Sequence, residues 1–329
     1  MILIAPDKFK GTLTAKEAAE IIAKELKGHP CIVAPMADGG EGTAKAIASP
    51  RIQQWEEREG YFLHIPSRTA VIDSSAWIGL AQAAKMGGVM QATSAPLGAK
   101  VKELLDEECA TIIIGIGGTG TCDGGAGFLS ALDKENLPKY ADRIIGLSDV
   151  KVPLISNGDA IDALSFAPQK GATSSDMPLL RQRLILARQE WGGGRTSPFD
   201  GAGGGLGFAI ASAIGAPCYC GAEYVLNNYN IDWTKVDAVI TGEGCIDRQT
   251  LAGKVVSAVC RKALEYGIPA IAIGGRLADD FDGEQIPTGI TIISAEEFKD
   301  SSILTKEEAV GRLRRASIHA KSLLLDSLR

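Results

Sequence analysis

Carboxylates and lysines fall beside glycine at the ends of short apolar runs, and this pattern frames the chemistry open to the chain. Asp7-Lys8-Phe9-Lys10-Gly11 places one carboxylate and two cations behind Ile2-Leu-Ile-Ala5. Ala37-Asp38-Gly-Gly-Glu41-Gly42-Thr43 sets two carboxylates in a flexible turn after Cys31-Ile-Val-Ala34. Asp38 and Glu41 suit Mg²⁺, which takes one or two carboxylates together with substrate phosphates. Gly242-Glu243-Gly-Cys-Ile-Asp247-Arg248-Gln249-Thr250 repeats the theme with Lys254 close by, and Asp123-Gly-Gly adds a carboxylate to the candidate metal set. Such groups converging on one sheet edge point to phosphoryl transfer, which is mostly positioning and charge neutralisation. Lys8, Lys10, Arg248 and Lys254 are then the expected phosphate or substrate contacts, with Lys8 also placed among the catalytic residues.

Transfer to a hydroxyl also needs a proton acceptor, usually a carboxylate within hydrogen-bond reach. Asp38 shares its turn with Glu41, which favours a hydrated metal. Asp7 stands beside Lys8 and Asp123 lies in a glycine turn, where a nearby cation depresses the pKa and weakens a base. Asp247 also neighbours a cation, Arg248, which is suited to clamping a substrate carboxylate. Asp247 is therefore the expected base, with Asp7 and Asp123 as rivals.

Gly115-Ile-Gly117-Gly118-Thr119-Gly120 follows the run Thr111-Ile-Ile-Ile114. A glycine turn before a helix offers N–H groups and a positive dipole end to an anion, so Gly117, Gly118 and Thr119 are expected at phosphate. The spacing also fits a dinucleotide fingerprint, which requires an acidic residue about 20 positions on at the end of a second strand. Neither Asp142 nor Asp149 ends a clean apolar run. A phosphate-binding loop of the Gly-x-x-x-x-Gly-Lys-[Ser/Thr] type is missing, since Arg248 stands five before Gly253-Lys254. Pro168-Gln-Lys170-Gly-Ala172 reads on its own as a surface turn.

The elements that position these residues alternate. Five apolar runs (2–5, 31–34, 111–114, 236–240 and 270–273) end in Gly, Asp or Glu, as strands buried on both faces do. Thr14-x-x-Glu17 and Thr305-x-x-Glu308 are capping boxes opening helices, the first with a stripe of Ala15, Ala18, Ala19, Ile22 and Leu26. Strand alternating with helix predicts an α/β fold with a parallel sheet, whose ligands lie outside the carboxyl ends of the strands. Residues 53–65 are strand-like and 75–80 helical, and 132–230 is less regular. The predicted division is one discontinuous parallel-sheet domain of 1–45, 96–131 and 231–329, with 46–95 and 132–230 forming a second, inserted α/β domain.

The 329 residues suffice for two such domains, and 34 Lys and Arg against 40 Asp and Glu leave a net charge of −6. That balance argues against a nucleic-acid or polybasic membrane-surface protein. No run reaches the ~20 apolar residues of a membrane span, and the N-terminus reads as a strand rather than a secretory signal. The seven cysteines form no C-x-x-C pair and read as mostly small buried residues of a reducing cytoplasm. The 39 glycines exceed the average of about 7%, and their place at strand ends, where backbone must approach a ligand, accounts for the excess.

Six blocks in order resemble the type-1 glycerate kinases. They are Asp7-Lys-Phe-Lys-Gly11 with Leu13-Thr14, Ala37–Thr43, Gly115-Ile-Gly-Gly118 with Asp123–Gly127, Phe166–Ala172, Gly203-Gly-Gly-Leu-Gly207, and Thr241-Gly-Glu-Gly244 with Asp247–Thr250. The resemblance implies ATP-dependent phosphorylation of D-glycerate with Mg²⁺ in the cytoplasm, giving mainly 2-phosphoglycerate. It implies two α/β domains, one flavodoxin-like, with the active site in the cleft between them, and it raises Lys170 to a substrate or phosphate contact. A related small hydroxy acid is the alternative substrate, and a non-catalytic sensor of a phosphorylated metabolite is disfavoured because Asp7, Asp38, Asp123 and Asp247 are all present. Expected partners are the hydroxy acid and ATP, without nucleic acid or membrane; a homodimer is left open.

Overall fold

In the computed structural model the described residues are 1–327 apart from 159, 193, 248, 249, 251–253, 280, 282–285 and 300–303, with the side chains of 325–327 also outside the description. The strands are β1 (Ile2–Ile4), β2 (Cys31–Val33), β3 (Trp55–Arg58), β4 (Tyr61–His64), β5 (Thr69–Asp73), β6 (Thr111–Gly115), β7 (Ile144–Ser148), β8 (Cys218–Cys220), β9 (Ala238–Glu243), β10 (Ala270–Gly274) and β11 (Ile290–Ser294). The chain divides into two compact units, Met1–Asp38 with Ala222–Arg329, and Gly39–Gly221.

The first unit holds a five-stranded sheet in the order β11-β10-β9-β1-β2, parallel throughout. Renumbered along this unit the order is 2-1-3-4-5, the flavodoxin-like arrangement. Leu3, Ile4, Val239, Ile240 and Ile273 are fully buried, as a parallel sheet covered on both faces requires. The helix Ala15–Glu25 is opened by the predicted capping box: the Thr14 hydroxyl accepts from Glu17 N, and a Glu17 carboxylate oxygen accepts from Thr14 N at 2.8 Å. Its Ala18, Ala19 and Ile22 enter one apolar cluster with Leu313, Ala316 and Ala320 of the helix Lys306–Ser327. That last helix begins with Glu308 N donating to the Thr305 hydroxyl at 3.1 Å, and it holds a buried pair, Arg312 Nε to Glu308 Oε1 at 2.7 Å.

The second unit carries a six-stranded mixed sheet, β3-β4-β5-β6-β7-β8. Its first pairs are antiparallel, with β3 and β4 joined at Glu59-Gly60, and β5 to β8 run parallel. The expected assignment of 96–131 to the first domain is corrected here. β6 is hydrogen bonded between β5 and β7, so this stretch belongs to the second unit, as do Gly39–Lys45 and 46–95. Residues 222–230 move the other way, into the first unit. The helical stretch at 75–80 is two short helices, Ser74–Ile78 and Leu80–Lys85, broken at Gly79. The core of this unit centres on Ile112, Ile114, Leu104 and Phe128. Of the seven cysteines three are buried and four half-buried, fewer buried than expected. Among the described residues no helix is long and apolar enough to cross a membrane.

Candidate active site

In the first unit the strand order reverses at β1, with β2 on one side and β9 on the other. Ligands of open parallel sheets bind outside the carboxyl ends of the strands at such a point. β1 runs out into Pro6-Asp7-Lys8 and β9 ends on Glu243. Asp7 N donates to Gly242 O at 2.8 Å and the Thr241 hydroxyl donates to Ala5 O at 2.7 Å, so the two strand ends are locked together.

Both carboxylates at this end are buried: Asp7 is 7% exposed and Glu243 9%. Burial, and then the charge of Asp38, push the Asp7 carboxyl up to about 7; Lys8 opposes them and Glu243 adds a smaller push. Lys8 N donates to Asp7 Oδ1 at 2.7 Å. Burial also pushes Glu243 up to about 7, against Lys254 and Thr250, with Asp247 and Asp38 adding repulsion. Glu243 Oε1 is buried without a hydrogen-bond partner among the described residues. Four carboxylates and two lysines, Asp7, Asp38, Glu243, Asp247, Lys8 and Lys254, thus form one electrostatically linked group.

Asp247, the expected base, lies in the turn that follows β9. Its Oδ1 accepts from Thr250 N at 2.8 Å and from the Thr250 hydroxyl at 3.2 Å, and its Oδ2 faces Lys254 Nζ at 3.6 Å. The Lys10 side chain is exposed, while its backbone N packs against Gly244. Arg248 lies outside the described residues. Glu243 is legible in Thr241-Gly-Glu-Gly244, close to Asp247 in sequence. The signal that distinguishes them is position: Glu243 is the last residue of a central strand.

In the second unit Glu41 is exposed in the turn that opens the helix Thr43–Ala48. Gly117 N donates to Gly39 O at 2.8 Å, and a Cβ at Gly117 would lie 2.7 Å from Gly40 Cα. The Gly117 N–H is therefore committed to protein and not held for phosphate, and its glycine serves close backbone approach. The first helix after β6 begins only at Ala126 and spans five residues, so the expected glycine-turn-to-helix anion site does not form at Gly120. Gly118 adopts a positive φ of 77, and Thr119 is buried.

The turn Pro168–Gly171 is at the surface as expected, and the half-buried Lys170 reaches inward from it. Its Nζ donates to Thr119 Oγ1 at 3.1 Å and Thr121 O at 2.8 Å. Burial lowers its pKa, opposed by Cys122 and Asp123. Gly203, Gly204 and Gly205 all have positive φ, and a Cβ at Gly204 would stand 2.0 Å from Thr121 O and 2.9 Å from Lys170 Nζ. Asp123, an expected metal ligand, anchors its loop. Its Oδ2 accepts from Ser94 N at 2.7 Å, Ser94 Oγ at 2.8 Å, Thr93 Oγ1 at 3.2 Å and Gly127 N at 3.2 Å, and its Oδ1 from Gly125 N at 3.1 Å. Five protein donors leave it little capacity for a cation.

Among the described residues no three Asp, Glu, His or Cys side chains close into a metal cage. A Mg²⁺ that keeps waters and substrate phosphates does not require one. The unpartnered Glu243 Oε1 and the mutually repelling carboxylates beside it form a hard-oxygen environment that fits such an ion.

A family model described as the glycerate kinase family matches residues 2–146 and 133–317. A protein of Halalkalibacterium halodurans named glycerate kinase is 34% identical, over 85% of this chain and 87% of its own length. A protein of Escherichia coli K12 named glycerate 2-kinase is 31% identical, over 85% of this chain and 86% of its own. A crystal structure from Salmonella typhimurium LT2, assigned as a glycerate kinase 2, superposes with a TM-score of 0.74 at 26% identity, covering 100% of this chain and 99% of that one. With motifs, sheet order and relatives in agreement over nearly its whole length, the chain belongs to the glycerate kinase family.

Proposed function

We propose that the protein transfers the γ-phosphoryl group of ATP to a hydroxyl of D-glycerate and releases 2-phosphoglycerate. The observation that carries the reading is the buried Asp7 at the end of β1, held near neutrality where a general base works best. In this reading Asp7 accepts the hydroxyl proton as the new P–O bond forms. Lys8 stands next to it to stabilise charge on the transferring group, as preorganised cations do in phosphoryl transfer. Lys254 is held against Asp247, and Lys10, Arg248 and Lys170 complete the set of candidate contacts to substrate or phosphate. Gly118 and Thr119 belong to the loop that Lys170 grips.

Asp38 and Glu41 are the candidate Mg²⁺ ligands, with Glu243 added and Asp123 removed. When bound, the ion would neutralise phosphate charge and orient the nucleotide. The name of the Escherichia coli relative, glycerate 2-kinase, supports the 2-phosphoglycerate product.

The test is ADP release by purified protein over a panel of hydroxy acids, with the product read by ³¹P NMR. D-Glycerate should be the best acceptor, with turnover abolished by EDTA and restored by Mg²⁺. Turnover of D-glycerate no faster than the substrate-free control overturns the reading, and a 3-phosphoglycerate product overturns the regiochemistry.

A further inference from the structure

The carboxylate-bearing turn at 39–42 is fastened at both ends, and one of the fastenings comes from a residue outside every signature block. Asp73 closes β5, directly across from Gly115 in the β5–β6 register. Its Oδ2 accepts from Gly42 N at 2.8 Å, and its Oδ1 accepts from Ala44 N at 2.9 Å. Two separate backbone donors on either side of Thr43 thus meet the two oxygens of one carboxylate. Charge-assisted bonds of this kind are roughly twice as strong as neutral ones.

The start of the same turn is held by other groups. Gly39 N donates to Thr43 Oγ1 at 3.1 Å, the Thr43 hydroxyl donates to Gly40 O at 2.7 Å, and Gly39 O accepts from Gly117 N. Between these fixed ends stands Glu41, with its side chain exposed. The helix that follows has only six residues, and Gly42 offers it no side-chain cap. Asp73 supplies the missing cap from a different strand. The sheet thereby fixes the backbone on which Glu41 is carried, as a functional group needs when it must sit within a fraction of an ångström of its working position.

We infer that Asp73 is a positioning residue: it holds Glu41 in register through Gly42 and Ala44 and does not itself meet substrate. The inference rests on the proposed role of Glu41 at the metal–nucleotide site. Its test is a double-mutant cycle between Asp73 and Glu41 with two readouts, kcat and Mn²⁺ binding by electron paramagnetic resonance in the presence of ADP. Asp73→Ala removes both acceptors. Asp73→Asn keeps one and should retain more function, and it serves as the second variant if Asp73→Ala does not fold.

Expected results are a fall in kcat of about 10-fold or more for Asp73→Ala, weaker Mn²⁺ binding by a similar factor, and partial rescue by Asn, at the level of a lost positioning contact. In the Glu41→Gln background the Asp73 substitutions should add little, because residues acting as a unit are not additive. If Glu41→Gln leaves both readouts at wild-type values, the reading of Glu41 fails and the inference falls with it. If Glu41→Gln is impaired but the Asp73 effects are absent or fully additive, the inference alone is overturned.

Discussion

The carboxyl ends of the parallel strands in the two sheets solve different problems. In the five-stranded sheet β1 and β9 end on buried carboxylates, Asp7 and Glu243, which repel one another and are held near neutrality. In the six-stranded sheet the strand ends lead into glycine-rich backbone most of whose polar groups are committed: Gly117 N to Gly39 O, Thr121 O to Lys170 and five donors to Asp123, with Thr121 Oγ1 buried without a partner among the described residues. The first end stores unfavourable electrostatics, and the second is over-determined in geometry. Buried charges that stay unsatisfied mark places where function has overridden stability, whereas a satisfied network mainly fixes shape.

The largest effect should come from breaking the electrostatic end. Asp7→Asn preserves shape and removes the proton acceptor, so kcat should fall by about 10²- to 10⁴-fold with ATP affinity little changed. Wild-type kcat/KM should rise with pH through about 7, the value to which Asp7 is pushed, and Asp7→Asn should flatten that limb. Stability should move oppositely. The carboxyl ionises near 3.8 when unfolded and near 7 when folded, so between those values the native state holds the extra proton. The Asp7 contribution is therefore most favourable below about pH 4 and is lost as pH rises through 7. Asp7→Asn should melt higher than wild type at pH 8, with the gain vanishing near pH 4. A variant with normal turnover, or one less stable at pH 8, would defeat the assignment.

Breaking the geometric end should cost less activity through a different route. Lys170→Met keeps most of the volume and removes a cation whose hydrogen bonds among the described residues go to two neutral oxygens, Thr119 Oγ1 and Thr121 O. We expect kcat to fall by about 10²-fold, the scale of one lost electrostatic contact. The melting temperature should hold or rise, because a buried charge is costly to desolvate. A cooperative loss of fold in Lys170→Met would show that the ammonium is needed for structure and not for turnover.

The contrast also explains what the sequence makes legible. The five strand–Gly/Asp runs are strands, four of them buried as expected while the edge strand β2 is half-buried to exposed, and Asp7, Lys8 and Asp38 follow from where those strands end. Domain membership was misread for 96–131 because β6 has the same local pattern as β1 and β9. Its place depends on pairing with β5 and β7, which no local pattern encodes. Asp123 and Asp247 look like Asp38 in sequence, and the partners of the first two are set by the fold: Ser94 and Thr93 lie about thirty residues from Asp123, and Thr250 folds back on Asp247. Lys170 sits in an exposed turn, as Gly171 after it indicates, and the inward reach of its ammonium depends on the distant Thr119–Thr121 loop. Asp73 carried no signal, since a lone aspartate at a strand end matches no motif.

Backbone crowding gives a stability test of the same contrast. Gly204 has φ +69, and an added Cβ would meet Thr121 O at 2.0 Å, whereas Gly11 has φ +83 with nothing within 4 Å. Gly204→Ala should cost about 3 kcal/mol or more, from left-handed strain together with a backbone clash. Gly11→Ala should cost about 1 kcal/mol, from left-handed strain alone. Urea denaturation of both variants checks this, and equal losses would mean that the glycine loop at 203–205 has room to relax.

The smallest expected effect concerns the helix cap behind the electrostatic end. Thr14 satisfies Glu17 N with its hydroxyl, and Glu17 returns the bond to Thr14 N while also pairing with Lys306 Nζ at 2.6 Å. Lys306 first, and then Thr14, hold the Glu17 carboxyl down at about 2. Thr14→Ala should destabilise the protein by about 1 kcal/mol, as loss of a side-chain cap does. A depressed carboxyl stabilises the fold above its unfolded value near 4.5, and that contribution is lost as pH falls through about 2. Without the Thr14 hydroxyl, Glu17 should titrate higher, so the acid unfolding curve of Thr14→Ala should shift to higher pH. The Lys306 pair is exposed and screened by salt, so added NaCl should reduce its share and leave the cap effect in place. Thr305→Ala removes the acceptor for Glu308 N at the other helix and should cost about the same, with no change in kcat. If Thr14→Ala lowers kcat by more than about 10-fold at unchanged stability, the cap reaches the neighbouring Lys10-Gly11 turn and its role is not confined to the helix.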